Sequence, residues 1–129
     1  MKGKSSLSLA NTLGRGLLAN MFIQNGFGAF LEPDSRAKKV EAAGIPQPRQ
    51  SVILNGALMV LGGTMLAANI APKLSAGVLA ACLIPTTFVG HPYWKEENPA
   101  AKANQKIHFF KNLAMLGGLL VVLGGEGVS

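Results

Sequence analysis

The chain has 129 residues, of which 49% are hydrophobic and only 14% charged, with a formal net charge of +6 and a mean hydropathy of +0.33. A soluble domain carries about 25% charged residues, so this balance excludes an ordinary soluble domain and points to a membrane protein. The positive charge does not read as a nucleic-acid surface, because the basic residues fall between apolar runs rather than on one face, where they suit anionic lipid headgroups.

A membrane-crossing helix needs about 20 apolar residues, and four runs of that kind succeed one another in the chain. They cover about 7–31, 51–70, 73–90 and 105–123. The runs are too long and continuous for barrel strands, and lipid leaves no partner for unpaired backbone groups, so helices are expected. The expected fold is all-α, a membrane-spanning four-helix bundle forming one domain over 1–129. The basic start Met1-Lys2-Gly3-Lys4 resembles a signal peptide, but Asn11 and Arg15 interrupt the next apolar stretch and no small-residue cleavage site appears. We read it as a retained first helix.

Arg15 falls well inside the first run, where a central arginine costs about 2.5–3.5 kcal/mol. Asn11 and Asn25 share its helical face, while Asn20 and Gln24 lie on another. Two readings stay open: Arg15 snorkels to an interface, or it points into the bundle and holds an anionic or carbonyl group. The 32–50 connection contains Pro33, Pro46 and Pro48 among charges. The second and third runs are separated only near Ala71-Pro72-Lys73 and should form a tight antiparallel hairpin, with Pro72 in the first helical turn. Small residues recur four apart at Gly63 and Ala67, Ala76 and Ala80, Gly77 and Ala81, and Ala114 and Gly118. Such pairs let membrane helices approach closely. The single cysteine, Cys82, reads as a packing residue, and no Cys pair or Cys/His metal site exists. Pro85 should kink or end the third helix.

The 91–104 connection opens with His91-Pro92-Tyr93-Trp94. Tyr93 and Trp94 match an interfacial aromatic belt; alternatively, Phe88–Trp94 folds over the bundle mouth as a lid. In the fourth run Asn104, His108 and Asn112 recur on one face, with Lys111 beside them. They form either an amphipathic anchor or one wall of a polar pocket. Both long connections belong to the same side. Arg36, Lys38, Lys39, Arg49, Lys95 and Lys102 place that side in the cytoplasm by charge count, whereas the basic N-terminus at Lys2 and Lys4 argues the opposite orientation. No phosphate loop, Ser-His-Asp pattern or Glu-x-x-His pair is present, and the runs lack carboxylates, which argues against a proton-driven pump. His91 and His108 as axial haem ligands are a minor alternative.

The stretch Leu83–Leu120 resembles the C-terminal half of the DoxX family of small membrane proteins. The resemblance is carried by His91–Trp94, with Tyr93 in the place of Phe, then Gln105, Phe109–Asn112 and Leu116–Leu119. Ala43–Pro46, Asn55 and Leu61–Gly63 also fit, and Arg15 and Gly26 fit more weakly. Ala29 stands where the family often has Lys, so a role for a first-helix Lys does not carry over. The resemblance implies a four-helix integral protein of the plasma membrane, tied to redox chemistry, since the family takes its name from a quinol oxidase subunit. Some relatives are linked to enzymes that handle thiols or superoxide.

The functional expectation is a redox-associated subunit that binds a quinone-like or other small carbonyl ligand, with no intrinsic cofactor evident and no metal. The candidate ligand-binding residues are Arg15, Asn25, His91, Trp94, Asn104, His108, Lys111 and Asn112. A partner membrane or peripheral redox protein would supply electrons, and self-association into a homo-oligomer is open. The competing readings are a structural or assembly subunit and a small transporter. Catalytic activity of the chain alone is not decided by the sequence.

Overall fold

The computed structural model describes residues 2–125, with side chains from residue 8 onward, and contains five helices and no strand among those residues. The helices are α1 (Lys2–Leu31), α2 (Pro33–Ala42), α3 (Pro48–Ala67), α4 (Pro72–Gly90) and α5 (Pro99–Gly124), with a short 3-10 turn at Tyr93–Lys95 between the last two. Helices α2 to α5 each begin on a proline, whose fixed φ suits the first turn and whose missing N–H would have no partner there. Lys2 and Lys4, which bear on orientation, lie outside the described side chains, and Met1 lies outside the described residues.

The all-α expectation holds. Three stretches are long and apolar enough to cross a membrane: Pro48–Ala67, Pro72–Lys95 and Pro99–Gly124. Helix α1 is the longest, yet it is not among them, because Asn11, Arg15, Asn20, Gln24 and Asn25 dilute its apolar residues. Two expected connections are partly helical. The segment read as a loop after residue 31 contains α2, with Asp34 in its first turn and Lys39 in its last, each complementing the helix dipole. Helix α5 starts at Pro99 rather than 105, because Asn98 caps it: its side-chain oxygen accepts from the Ala100 and Ala101 N–H groups at 2.9 and 3.1 Å.

Helix α4 passes through Pro85 and continues to Gly90, so the proline does not end it. Pro85 removes the N–H that would serve the Ala81 carbonyl, while Thr86 and Thr87 donate to the Cys82 and Leu83 carbonyls at 2.8 and 2.7 Å. The α3–α4 hairpin is tight, as expected. It reverses through Asn69 and Ala71, both left-handed with φ of 59° and 42°. Helix α1 packs on α3, α3 on α4 and α4 on α5, while α2 lies across α3 and touches α4 and α1. The shared core is Ala19, Phe22, Met59, Leu66, Leu79, Leu83, Met115 and Leu119 with their neighbours. Cys82 sits in it as a buried packing residue.

The closest helix approach is between α1 and α3. A Cβ on Gly26 would stand 2.6 Å from the Gly56 carbonyl oxygen, and one on Gly63 would stand 3.2 Å from the Ala19 carbonyl oxygen. The contact therefore repeats every seven residues along each helix, not at the spacing of four read from the sequence. Of the residues in those pairs, Gly77 has open space beside it, while Ala81 and Ala114 are exposed. This register puts Arg15, four residues before Ala19, level with Ala67, the last residue of α3. Arg15 therefore stands at an end of the bundle rather than at its centre.

A methyl added at Gly26 would meet the Gly56 carbonyl oxygen as well as Val60 Cγ2, and the backbone atom cannot move aside to absorb the clash. Gly26→Ala should lower stability by about 1–3 kcal/mol, in the range of overpacking, whereas Gly77→Ala should leave it unchanged. Thermal unfolding of the detergent-solubilised protein, followed by circular dichroism, measures both; equal melting temperatures would refute the register.

Candidate functional site

At the end of the bundle that carries both long connections, five segments enclose a cavity of about 480 Å³. Asn25 and Ala29 come from α1, Arg36 and Lys39 from α2, Ser51 and Asn55 from α3, Pro85 and Thr86 from α4, and His91 comes just after α4. Val40, Val52, Met59 and Val89 give the same space apolar walls. A few convergent polar groups in an otherwise apolar cleft of this size are the usual form of a small-molecule site.

The polar groups are held in place. Asn55 donates from Nδ2 to Thr86 Oγ1 at 2.9 Å, which links α3 to α4 within the apolar layer. Lys39 donates from Nζ to the Gly90 carbonyl at 2.8 Å. That carbonyl is among the last of α4, where orphan acceptors and the negative end of the dipole favour a cation. The same bond ties α2, in the first long connection, to the end of α4, where the second connection departs, so both connections lie at one end of the bundle. Arg36 lies along α1 where Gly28 leaves room for its guanidinium. Glu32 is the one carboxylate among the lining residues, so Arg36 and Lys39 leave the mouth positive. The Arg49–Asp34 ion pair nearby, at 3.1 Å, is largely exposed and contributes little.

A second group adjoins this cavity through His91. Its Nδ1 is 2.7 Å from Gln105 Oε1 and donates to it, which fixes the tautomer and leaves Nε2 as the acceptor nitrogen. The rings of His91 and His108 stack with centroids 5.1 Å apart and planes 20° from parallel. Lys111 Nζ lies 3.4 Å from His108 Nδ1 and donates to it. Gln105, His108 and Lys111 recur at intervals of three on α5 and so share a face. Tyr93 and Trp94 turn back over Phe88 and Phe109, with ring centroids 5.3 to 6.3 Å apart. The Phe88–Trp94 segment thus covers the histidine end of α5 as an aromatic cap.

The structure divides the eight sequence candidates. Asn25 and His91 line the cavity. His108 and Lys111 adjoin it through His91, and Trp94 belongs to the aromatic cap and remains half exposed. Asn112 is buried below them, 2% exposed, and its Oδ1 has no partner among the described residues. Asn104 is exposed, because α5 begins early enough to carry it into the second turn, away from the buried face. Arg15 does not face the group at all: it lines a different cavity, between α1 and α5 at the opposite end. The single pocket spanning Arg15 and His108 is therefore corrected to two separate sites, as the α1–α3 register requires. Sequence reasoning missed the cavity roles of Ser51, Asn55, Thr86, Arg36 and Lys39. Asn55 carried a signal, since a lone amide in an apolar run is costly without a partner. Arg36 and Lys39 carry only a topology signal in the sequence, because the prolines and charges around them hide the helix that orients them.

The DoxX family model matches residues 10–92, which is 83 of the 129. No curated protein and no solved structure matches the chain. The matched segment includes Arg15, Asn25, Asn55, Thr86 and His91, and stops before the Gln105–Lys111 face that carried most of the resemblance in the sequence. With more than half of its length matched, the chain belongs to the DoxX family.

Proposed function

We propose that the chain is a multi-pass protein of the plasma membrane that binds a quinone-like or other small carbonyl ligand in the α2-side cavity and acts with a redox partner. The observation that carries this reading is the cavity itself, with hydrogen-bonding side chains of four helices turned onto one apolar space of about 480 Å³. A ligand ring would pack on Val52, Met59 and Val89, with its carbonyl oxygens toward Asn55 or Lys39, each of which keeps a further N–H to donate. A quinone, when bound, supplies reversible two-electron, two-proton chemistry. The side chains bind and orient it: the mouth cations favour developing negative charge, and His91, held at Nδ1 by Gln105, exchanges a proton at Nε2. The sole cysteine is buried, so this chain has no dithiol to pass electrons, and a partner protein fills that role.

Asn55→Leu and Lys39→Met should each weaken binding of a short-chain ubiquinone analogue about tenfold, roughly the effect of one lost hydrogen bond to a polar or charged group. Trp94, the only tryptophan, reports on the adjoining cap, so fluorescence quenching in nanodiscs serves as the readout. Lack of saturable quenching in the wild type, or unaltered affinity in both variants, would sink the reading.

In this reading α1 is the fourth crossing helix, with residues 15–31 alongside α3 in the membrane. Labelling tests it. In a Cys82→Ser background, single cysteines at Lys38 and Glu97 should react from one side of sealed vesicles, and those at Asn69 and Ser8 from the other. Labelling of Ser8→Cys from the same side as Lys38→Cys would mean that α1 does not cross.

The assembly reading is favoured by one observation. Leu9, Leu13 and Leu17 recur at intervals of four on α1 and are 61%, 57% and 73% exposed. A stripe of this kind suits a partner helix or a second copy of the chain. Changing Leu9 and Leu13 to Gln should then lower the particle mass in mild detergent, measured by light scattering, without altering quinone binding.

A further inference from the structure

We propose that the seam between α1 and α5 is a binding site for the anionic headgroup of a membrane lipid, held by Arg15. The seam is a cavity of about 460 Å³ lined by Ala10, Gly14, Arg15 and Leu18 from α1 and by Gly118 and Val121 from α5, among others. Helix α5 packs on α4, so it meets α1 only loosely and leaves this side of the bundle open. Within the seam the Arg15 Nε is buried and has no hydrogen-bond partner among the described residues. Among the described residues the guanidinium makes one hydrogen bond, from Nη2 to the Thr12 hydroxyl at 3.4 Å. A buried guanidinium N–H without an acceptor is costly, and a planar fork of donors matches phosphate or carboxylate oxygens.

The depth fits a lipid. Arg15 stands level with the end of α3 at Ala67, and its cavity reaches Gly125, the residue after α5 ends. Helix ends are where lipid headgroups stand, and the apolar lining at Leu18 and Gly118 continues the seam toward the acyl region. The site is distinct from the α2-side cavity, and it does not depend on what that cavity binds. The competing occupant is internal: Glu126 comes directly after Gly125 in the sequence.

Native mass spectrometry of the full chain, with added phosphatidylglycerol or phosphatidylcholine, separates the two. The wild type should retain phosphatidylglycerol in preference to phosphatidylcholine. Arg15→Gln should reduce that preference about fivefold, the factor expected for one basic residue at an anionic surface, while Arg15→Lys, which keeps the charge but not the fork of donors, should fall between the two. Gly118→Ile, which fills the seam against Leu18, should reduce retention of both lipids. Glu126→Gln should leave the preference as it is. The proposal is overturned if the wild type shows no preference, if Arg15→Gln and Gly118→Ile both bind as the wild type does, or if the preference emerges only in Glu126→Gln.

Discussion

The contact on which the rest of the bundle depends is the close approach of α1 and α3 at Gly26 and Gly56. Lipid offers no hydrophobic drive between helices, so association rests on van der Waals contact, and that contact is largest where backbones nearly touch. Here the backbones approach until a single methyl at Gly26 would meet the Gly56 carbonyl. An interface this tight has one register, because sliding by a residue would bring a side chain against backbone. The consequences run to both ends of the molecule. At one end the register brings Asn25 and Ala29 beside Asn55, which makes the wall of the α2-side cavity. At the other it carries Arg15 up to the level of the helix ends.

Once α1 and α3 are fixed, the cavity is closed by a polar tie rather than by more apolar packing. Lys39 reaches the Gly90 carbonyl from α2, and Asn55 reaches Thr86 across α3 and α4. Both bonds use groups that helix physics leaves in need of partners: the last carbonyls of α4, and an amide inside an apolar layer. The cavity roof is then the short helix α2, whose charges at either end match its dipole. His91, placed at the end of α4, belongs at once to the cavity wall and to the stack on His108. That double membership couples the cavity to the α5 face, where Gln105 and Lys111 hold the two rings.

Much of this was legible in the sequence, and the failures have physical causes. Apolar run length located α3, α4 and α5, because membrane thickness sets that length. The ends of the runs were less legible: Pro99, Lys102 and Asn104 interrupt the alanines at the start of α5, yet the Asn98 cap makes that stretch helical. Helix α2 was missed for the opposite reason, since charge and proline read as a loop while Pro33, Asp34 and Lys39 sat at the positions a short helix favours. The face carrying His108 and Lys111 came from periodicity within one helix. The error with Arg15 lay between helices: periodicity shows which residues share a face but says nothing of how far one helix slides along another. Only the Gly26–Gly56 contact fixes that, and the spacing of four sought in the sequence does not find a contact that repeats every seven.

The same register bears on why α1 is poorer in apolar residues than its neighbours. Asn11 lies beyond Arg15, past the level at which α3 ends, where polarity has little cost. Asn25 opens onto the cavity among other hydrogen-bonding groups. Asn20 and Gln24 satisfy one another, with Gln24 Nε2 donating to Asn20 Oδ1 at 3.1 Å one turn away. Every polar residue between Arg15 and Leu31 therefore faces a cavity or pairs within its own helix. A composition threshold counts these residues as if each stood alone in hydrocarbon. Counted with their partners, the stretch from 15 to 31 reaches the lower limit of about 17 residues for a crossing, and its one charge stands at the edge.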